Sequence, residues 1–293
     1  MSGHVPALCR EIAELLITDP GGIYVDATVG LGGHAGAILN SLSPAGRIVG
    51  IDLDADALKI AAENLSAFGK RAALVKGNYA GAPEILAALG IAKVNGILFD
   101  LGLSSYQLAR PERGFAFSSD GPLDMRFDSG NSFSAEEIVN SWPTEELTRI
   151  FREYGEERHS SRIAAAIARE RLRSPIKTTA QLREIAGRAV PGRGRIDPAT
   201  RIFQALRVAV NGEFDNLKKG LAALEEIILP GGRAAAISFH SLEDRIVKRA
   251  FAEMASGGGW RRITKKPVTA DEAETGSNPR ARSAKLRVIE RTR

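Results

Sequence analysis

Val25-Asp-Ala-Thr-Val-Gly-Leu-Gly-Gly-His34 is the stretch whose reading decides the fold. The β-rich residues Ile23–Ala27 run into a glycine-rich turn, and residues 33–42 beyond it read as a helix. A strand, a tight turn and a helix form the first half of a crossover unit, whose next strand returns parallel to the first. Working outward, Arg47–Asp52, Ala72–Lys76 and Val94–Leu101 are further strands, separated by helices over 54–67 and 81–89. Upstream, Val5, Leu8, Ile12, Leu15 and Leu16 recur at helical spacing over residues 5–17, and Thr18-Asp-Pro-Gly-Gly22 breaks that helix. Short apolar strands alternating with helices predict an α/β fold with a parallel sheet covered on both faces.

After residue 101 the rhythm stops. Residues 102–133 are rich in Gly, Ser, Pro and Asp and read as a long loop, a kind that is usually functional. Helical signals follow. Ser134 with Glu137 and Thr178 with Gln181 have capping-box spacing, Pro143–Tyr154 is a helix stopped at Gly155, residues 157–173 are helical, and Asp197-Pro198 is a cap with a first-turn proline. The α/β rhythm resumes with helix 213–228, a Pro230-Gly-Gly232 turn, strand Ala234–Phe239 and helix 241–255, for which Ser241 and Asp244 are a capping-box candidate. Trp260–Lys266 and Lys285–Arg291 look like a closing antiparallel pair around a polar, mobile segment, 268–283. The expected organisation is one α/β domain from 1–103 and 211–293, with an all-helical domain, 104–210, inserted after the fourth strand.

The 293 residues are 44% hydrophobic and 26% charged, which excludes a disordered or fibrous chain. The net charge of +5 hides an uneven distribution. Residues 1–150 hold 11 basic and 18 acidic side chains, 151–210 hold 13 and 6, 211–244 hold 3 and 6, and 245–293 hold 13 and 5. Two basic blocks suit a polyanion partner, and equally suit solvated helix faces. The single cysteine, Cys9, excludes an internal disulfide, and His4, His34, His159 and His240 lack metal-ligand spacing, so no metal is expected. No run approaches a transmembrane span and no leader pattern opens the chain, so a cytoplasmic protein without membrane contact is expected.

Two readings compete at the first turn. Gly30-x-Gly32-x-x-Ala35 fits a dinucleotide-binding fingerprint. Alternatively, Asp26 at the strand end, followed by Thr28, Gly30 and Gly32, resembles the first motif of S-adenosylmethionine-dependent methyltransferases, with Thr28 replacing a glycine. Such a site needs close backbone approach and a carboxylate for the cationic sulfonium and ammonium groups. Asp52, ending the second strand, can accept hydrogen bonds from ribose hydroxyls in either case. Asp54 and Asp56 complement the next helix's dipole. Tyr79, after the third strand, either packs on an adenine or under its own loop.

Asp100 ends the fourth strand in Gly96-Ile-Leu-Phe-Asp-Leu-Gly-Leu-Ser-Ser105. Ligands of open α/β sheets bind beyond the carboxyl ends of the strands, which makes Asp100 a catalytic candidate. An exocyclic base amine is a weak nucleophile, because its lone pair is delocalised into the ring. Acceptors on its N–H groups, the Asp100 carboxylate and the Leu101 carbonyl, would turn that lone pair towards a methyl donor. His240, after the fifth strand, is a second catalytic candidate that contacts substrate or accepts a proton.

Longer blocks are more specific: Gly32-Gly-His34, Phe99-Asp-Leu-Gly-Leu-Ser-Ser105 with Gln107, Arg113-Gly-Phe-Ala-Phe117 with Asp120-Gly-Pro-Leu-Asp-Met-Arg126, and Tyr154-Gly-Glu-Glu-Arg158. They continue with Pro198-Ala-Thr-Arg-Ile-Phe-Gln204, Ser238-Phe-His-Ser-Leu-Glu-Asp-Arg-Ile-Val-Lys248 and Asn278-Pro-Arg-Ala-Arg-Ser283. With these blocks the chain resembles the bacterial ribosomal RNA small-subunit methyltransferase H family, also called MraW. The resemblance implies a class I (Rossmann-like) methyltransferase sheet with a helical domain inserted after the fourth strand. It implies methylation of N4 of a cytidine in the decoding region of 16S rRNA within the small ribosomal subunit, with S-adenosylmethionine as cofactor. Cofactor contacts are implied at Gly32, Gly33, His34, Asp52, Tyr79, Asp100 and Gln107. The sequence departs from the family at Leu31, where a basic residue is common, and at Ala27, where glycine is common. The helical insertion is expected to help hold RNA, with Arg162, Arg169 and Arg173 as one candidate stripe. A DNA or small-molecule methyltransferase, an NAD-dependent oxidoreductase and a non-catalytic RNA-binding module are the alternatives.

Overall fold

The computed structural model describes residues 6–131, 133–190 and 197–293. Among them seven strands form one sheet: β1 (Ile23–Asp26), β2 (Arg47–Asp52), β3 (Ala72–Lys76), β4 (Val94–Asp100), β5 (Ile228–Ser238), β6 (Trp260–Arg262) and β7 (Lys285–Arg291). Their order is β3-β2-β1-β4-β5-β7-β6. The first five are parallel, and β7 runs antiparallel to both β5 and β6. β1 and β4 are neighbours where the winding reverses, the switch point at which doubly wound sheets bind ligands. This is the Rossmann-like α/β sheet expected from the sequence.

The chain divides into two compact units, Met1–Gly102 with Phe214–Arg293, and Leu103–Glu213. In the first unit, side chains alternate between the two sheet faces, as a pleated strand requires. Val25, Ile97 and Phe99 join Leu217, Leu221, Val247 and Phe251 in one core. Tyr24, Leu98 and Ile237 join Leu8, Ile12, Leu16, Ile38 and Leu39 in the other. The first helix is Cys9–Leu16, shorter than the spacing suggests, because Leu8 turns into the left-handed region at φ 59°; Val5 and His4 lie outside the described residues.

Three local expectations are corrected here. The Pro230-Gly-Gly232 turn is a bulge inside the longer strand β5: Val94 pairs with Ile228, but Gly96 pairs with Arg233. A Cβ on Gly232 would sit 2.7 Å from the Asn95 carbonyl oxygen, so only glycine lets the bulge approach β4. The helix Ser241–Ser256 is capped by His240 with Glu243, not by Ser241 with Asp244. The 268–283 segment is folded: Asp271 caps the helix Glu272–Ser277, a 3₁₀ turn spans Pro279–Ser283, and Glu274 Oε1 accepts from the Leu8 N–H at 2.7 Å.

The second unit is helical, with Ala135–Ser141, Thr144–Glu153, Ser160–Arg171, Thr179–Ala189 and Pro198–Asn211 around Ile138, Leu147, Phe151, Ile163, Leu182, Ile202 and Leu206. Thr178 and Gln181 form a complete capping box, while Ser134 accepts from Glu137 N–H without the return bond. The loop 102–133 contains a helix, Ser105–Leu108, and a turn, Pro111–Arg113. Its run Asp120–Arg126 is pinned along its length. Asp120 Oδ1 accepts from Ala180 N–H, Leu123 N–H donates to the Lys177 carbonyl, and Asp124 pairs with Arg126 at 2.7 Å. Buried Met125 is held at φ 63°, with Asn211 Nδ2 donating to its carbonyl at 2.8 Å.

Candidate active site at the carboxyl edge of the sheet

Three aspartates end three adjacent strands: Asp52 on β2, Asp26 on β1 and Asp100 on β4. The turn between β1 and the helix Gly33–Ser41 places backbone beside them. Gly30 and Gly32 take φ 50° and 85°, a region costly for other residues. A Cβ on Gly32 would also meet Leu65 at 3.1 Å. Gly33 opens the helix against Pro6, whose ring leaves no room for a side chain.

The carboxylates are held from the backbone. Asp52 Oδ2 accepts from Gly30 N–H at 2.8 Å and Oδ1 from Asp54 N–H at 2.9 Å. Asp26 Oδ1 accepts from Thr28 N–H at 3.2 Å. Thr28 has a role its reading as a replaced glycine did not foresee. Its hydroxyl accepts the Asp100 N–H at 2.8 Å, joining the β1 turn to the end of β4. Asp54 is the helix cap itself, accepting from Asp56 and Ala57 N–H, so it lies before the first turn. Thr28→Val keeps the shape and removes that acceptor. We expect a loss of about 1–2 kcal/mol in urea unfolding, from a buried N–H left unpaired; an unchanged midpoint would remove this role from Thr28.

The electrostatics of the edge favour a cationic, hydrogen-bond-donating ligand. Asp26 is 1% exposed, and its Oδ2 and the Asp100 Oδ1 are buried without a hydrogen-bond partner. Burial pushes the Asp26 carboxyl up to about 7; the His34 charge opposes this, and the neighbouring Asp100 and Asp52 charges add to it. Burial likewise pushes Asp52 up, against the pull of the Asp54 and Gly30 N–H groups. His34 lies between Asp100 and Cys9, with Nε2 3.4 Å from Asp100 Oδ2 and Nδ1 3.7 Å from Cys9 Sγ. Burial pulls its imidazole down, but Asp100 and Cys9 outweigh that and raise it to about 10. The Nε2 contact is an ion pair by distance and is not aligned as a hydrogen bond.

The remaining candidates have other local environments. Tyr79 opens a 3₁₀ turn after β3, with its ring edge-to-face on Phe99 at 5.5 Å and close over Gly220. Gln107 belongs to the second unit, where it completes a capping box with Ser104: its Oε1 accepts Ser104 N–H at 3.1 Å. His240 follows β5 at the same sheet edge as a helix cap. Its Nδ1 accepts Glu243 N–H at 3.4 Å, and its Nε2 lies 3.0 Å from Glu243 Oε1. That Nε2 contact is an ion pair by distance, and the nitrogen is buried without a hydrogen-bond partner. The clue available in the sequence was the third-position Glu243, a capping-box signal read one residue out of register.

The fold is Rossmann-like, and the family match makes its class a methyltransferase. The chain belongs to the MraW methylase family, whose model matches residues 1–292. It is similar to the Ribosomal RNA small subunit methyltransferase H of Syntrophotalea carbinolica, at 48% identity over 98% of each chain. It is also similar to the proteins of that name from Geotalea daltonii, at 47% identity, and Geobacter sp. strain M21, at 45% identity, again with 98% of each chain covered. Among the described residues no helix is long and apolar enough to cross a membrane, and no group of three or more His, Cys, Asp or Glu side chains could hold a metal ion.

Proposed function

We propose that this chain methylates N4 of a cytidine in the decoding region of 16S rRNA, within the small ribosomal subunit, using S-adenosylmethionine. The observation that carries the reading is the Asp100 carboxylate at the end of β4, with a buried oxygen lacking a hydrogen-bond partner. The names of the relatives support the rRNA substrate. The carboxylate edge suits the cofactor, which when bound supplies a methyl group activated on a sulfonium.

In this reading Asp52 holds the ribose hydroxyls through its remaining lone pairs. Asp26 and Asp100 face the cationic end of the cofactor, and the backbone at Gly32 and Gly33 lets it approach. His34 orients Asp100, while Tyr79 lines the adenine side beside Phe99. Gln107 carries its assignment from its motif alone. Asp100 accepts an N–H of the target amine and turns its lone pair towards the methyl group, so alignment is the main contribution. The amine proton leaves to water, and His240 acts as the helix cap. The Asp26 carboxylate disfavours the dinucleotide reading, because a pyrophosphate at Gly30–Gly32 would face it.

The helical unit, Leu103–Glu213, is assigned to RNA recognition, and a cytoplasmic location follows from the substrate. Arg162 and Arg169 are exposed on the helix Ser160–Arg171; Arg173, exposed past its end, is partnered by Glu170 at 3.6 Å. Arg171 is structural: its guanidinium donates to the Val139 and Trp142 carbonyls at 2.9 and 2.7 Å. The deciding experiment is methylation of purified small subunits with the methyl donor, followed by mass-spectrometric mapping. We expect one new N4-methyl cytidine in the decoding region. A methyl group mapped to another base or position would replace this assignment.

A further inference from the structure

The residues that enter the first helix are clamped onto the turn after β1. The Pro6 ring fills the space that a side chain on Gly33 would need. Leu8 is buried and held at φ 59°, a region that L side chains rarely adopt, and Glu274 Oε1 takes its N–H at 2.7 Å. This strained entry delivers Cys9, the first residue of the helix Cys9–Leu16, to the side of the ring of His34. The half-buried Cys9 sulfur lies 3.4 Å from the Pro6 carbonyl oxygen and 3.7 Å from His34 Nδ1.

Donor and acceptor chemistry fixes the hydrogens in this contact. A carbonyl oxygen only accepts, so the Cys9 S–H donates to Pro6. The sulfur then meets His34 with a lone pair, and Nδ1 must carry a hydrogen. On the far side of the ring Nε2 lies 3.4 Å from Asp100 Oδ2, and an ionised carboxylate also offers only lone pairs. Hydrogens on both nitrogens make His34 an imidazolium, although it is only 4% exposed. The charged groups acting on it are Asp100 from β4 and Asp26 from β1, with Asp52 of β2 acting on Asp26 in turn. With Oδ2 engaged, the other Asp100 oxygen, Oδ1, is left buried without a hydrogen-bond partner.

We infer that Cys9 is a positioning residue of the methyl-transfer site: its sulfur keeps a hydrogen on His34 Nδ1, so that the charged ring anchors Asp100 Oδ2 and leaves Oδ1 for the target amine. The inference rests on the reading of Asp100 given above. Cys9 acts only through His34. Without the sulfur, the buried Nδ1–H has no acceptor among the described residues, and the charged ring loses a hydrogen bond that favours it. The ring then discharges at lower pH and keeps its one hydrogen on Nε2, beside the carboxylate. Asp100 loses its countercharge at the same point of the titration.

The test is a nitrogen–proton NMR titration of the histidine rings in the full-length protein, free of cofactor and RNA, from about pH 6 to about pH 11. The His34 signals are identified by their loss in His34→Gln. The wild-type ring is expected to carry both hydrogens at neutral pH and to lose one only near 10. In Cys9→Ala the midpoint is expected to fall by about one pH unit, the loss of one hydrogen bond to a charged group. Cys9→Ser, whose hydroxyl can give to Pro6 and accept from Nδ1, should restore it. The high-pH limb of the single-turnover methylation rate should move with the midpoint in each variant. A merely structural cysteine would lower the rate at every pH and leave the midpoint in place. A wild-type ring that is neutral at pH 7 with its hydrogen on Nε2 overturns the proposal, as does a midpoint unmoved in Cys9→Ala or a rate limb that stays while the midpoint moves. A wild-type protein that transfers no methyl group to small subunits, with the midpoints as expected, would overturn the RNA reading and leave the pairing of Cys9 with His34 standing.

Discussion

Asp100→Ala is expected to lower the single-turnover methylation rate by about a thousandfold, roughly 4 kcal/mol of transition-state stabilisation. The backbone around Asp100 is fixed by Thr28, and its Oδ1 lacks a hydrogen-bond partner within a buried edge. A group so held makes its strongest interaction when the amine lone pair is turned towards the methyl group, so its loss falls on the rate. Asp100→Asn keeps an acceptor oxygen without the charge and should lie between the two. Cofactor affinity should change less than the rate in both variants. Wild-type single-turnover rates in Asp100→Ala would remove Asp100 from the chemistry.

The second large effect is expected at Asp26, with opposite signs for stability and binding. Burial pushes its carboxyl up to about 7 in the folded protein, from an ordinary 3.8. Between those values the unfolded chain has released the proton and the folded chain still holds it. Stability conferred by the buried acid is therefore lost as pH rises from about 4 to about 7. Asp26→Asn removes this penalty and keeps an oxygen for the Thr28 N–H. At pH 8 it should be more stable than the wild type by about 2–4 kcal/mol, and near pH 4 the difference should vanish. Cofactor binding should show the reverse. A cationic ligand selects the ionised carboxylate, so wild-type affinity rises with pH up to about 7, whereas the variant binds weakly with no such rise. Calorimetric unfolding and titration at the two pH values measure both; equal stability differences at pH 4 and pH 8 would contradict the buried-acid account.

Much of the fold is legible in the residues, because its determinants are local. β2 and β3 lie where their apolar runs lie, and the helical insertion announces itself in Thr178 with Gln181 and Asp197-Pro198. The misses share one cause, dependence on distant partners. Pro230-Gly-Gly232 is a turn in isolation and a bulge once β4 supplies the pairing. His240 and Ser241 are both plausible caps until strand β5 ends at Ser238 and the chain direction is set. Thr28 seemed a departure from a glycine pattern; its purpose is a hydrogen bond to residue 100, which no local window contains. At the candidate site, Asp26, Asp52 and Asp100 were readable because each ends a strand.

The insertion also bears on the order in which the molecule is made. β4 and its partner β5 are separated in the chain by residues 101–227, so as the polypeptide emerges β4 has one bare edge. The second unit, Leu103–Glu213, is contiguous and holds its own core and caps, so it has what it needs to condense first. The first unit must wait. Its sheet is complete only when β7 pairs with β5. Nascent chains stalled before β7 would hold the strands that end in Asp52, Asp26 and Asp100 while the outer edge of β5 stays open.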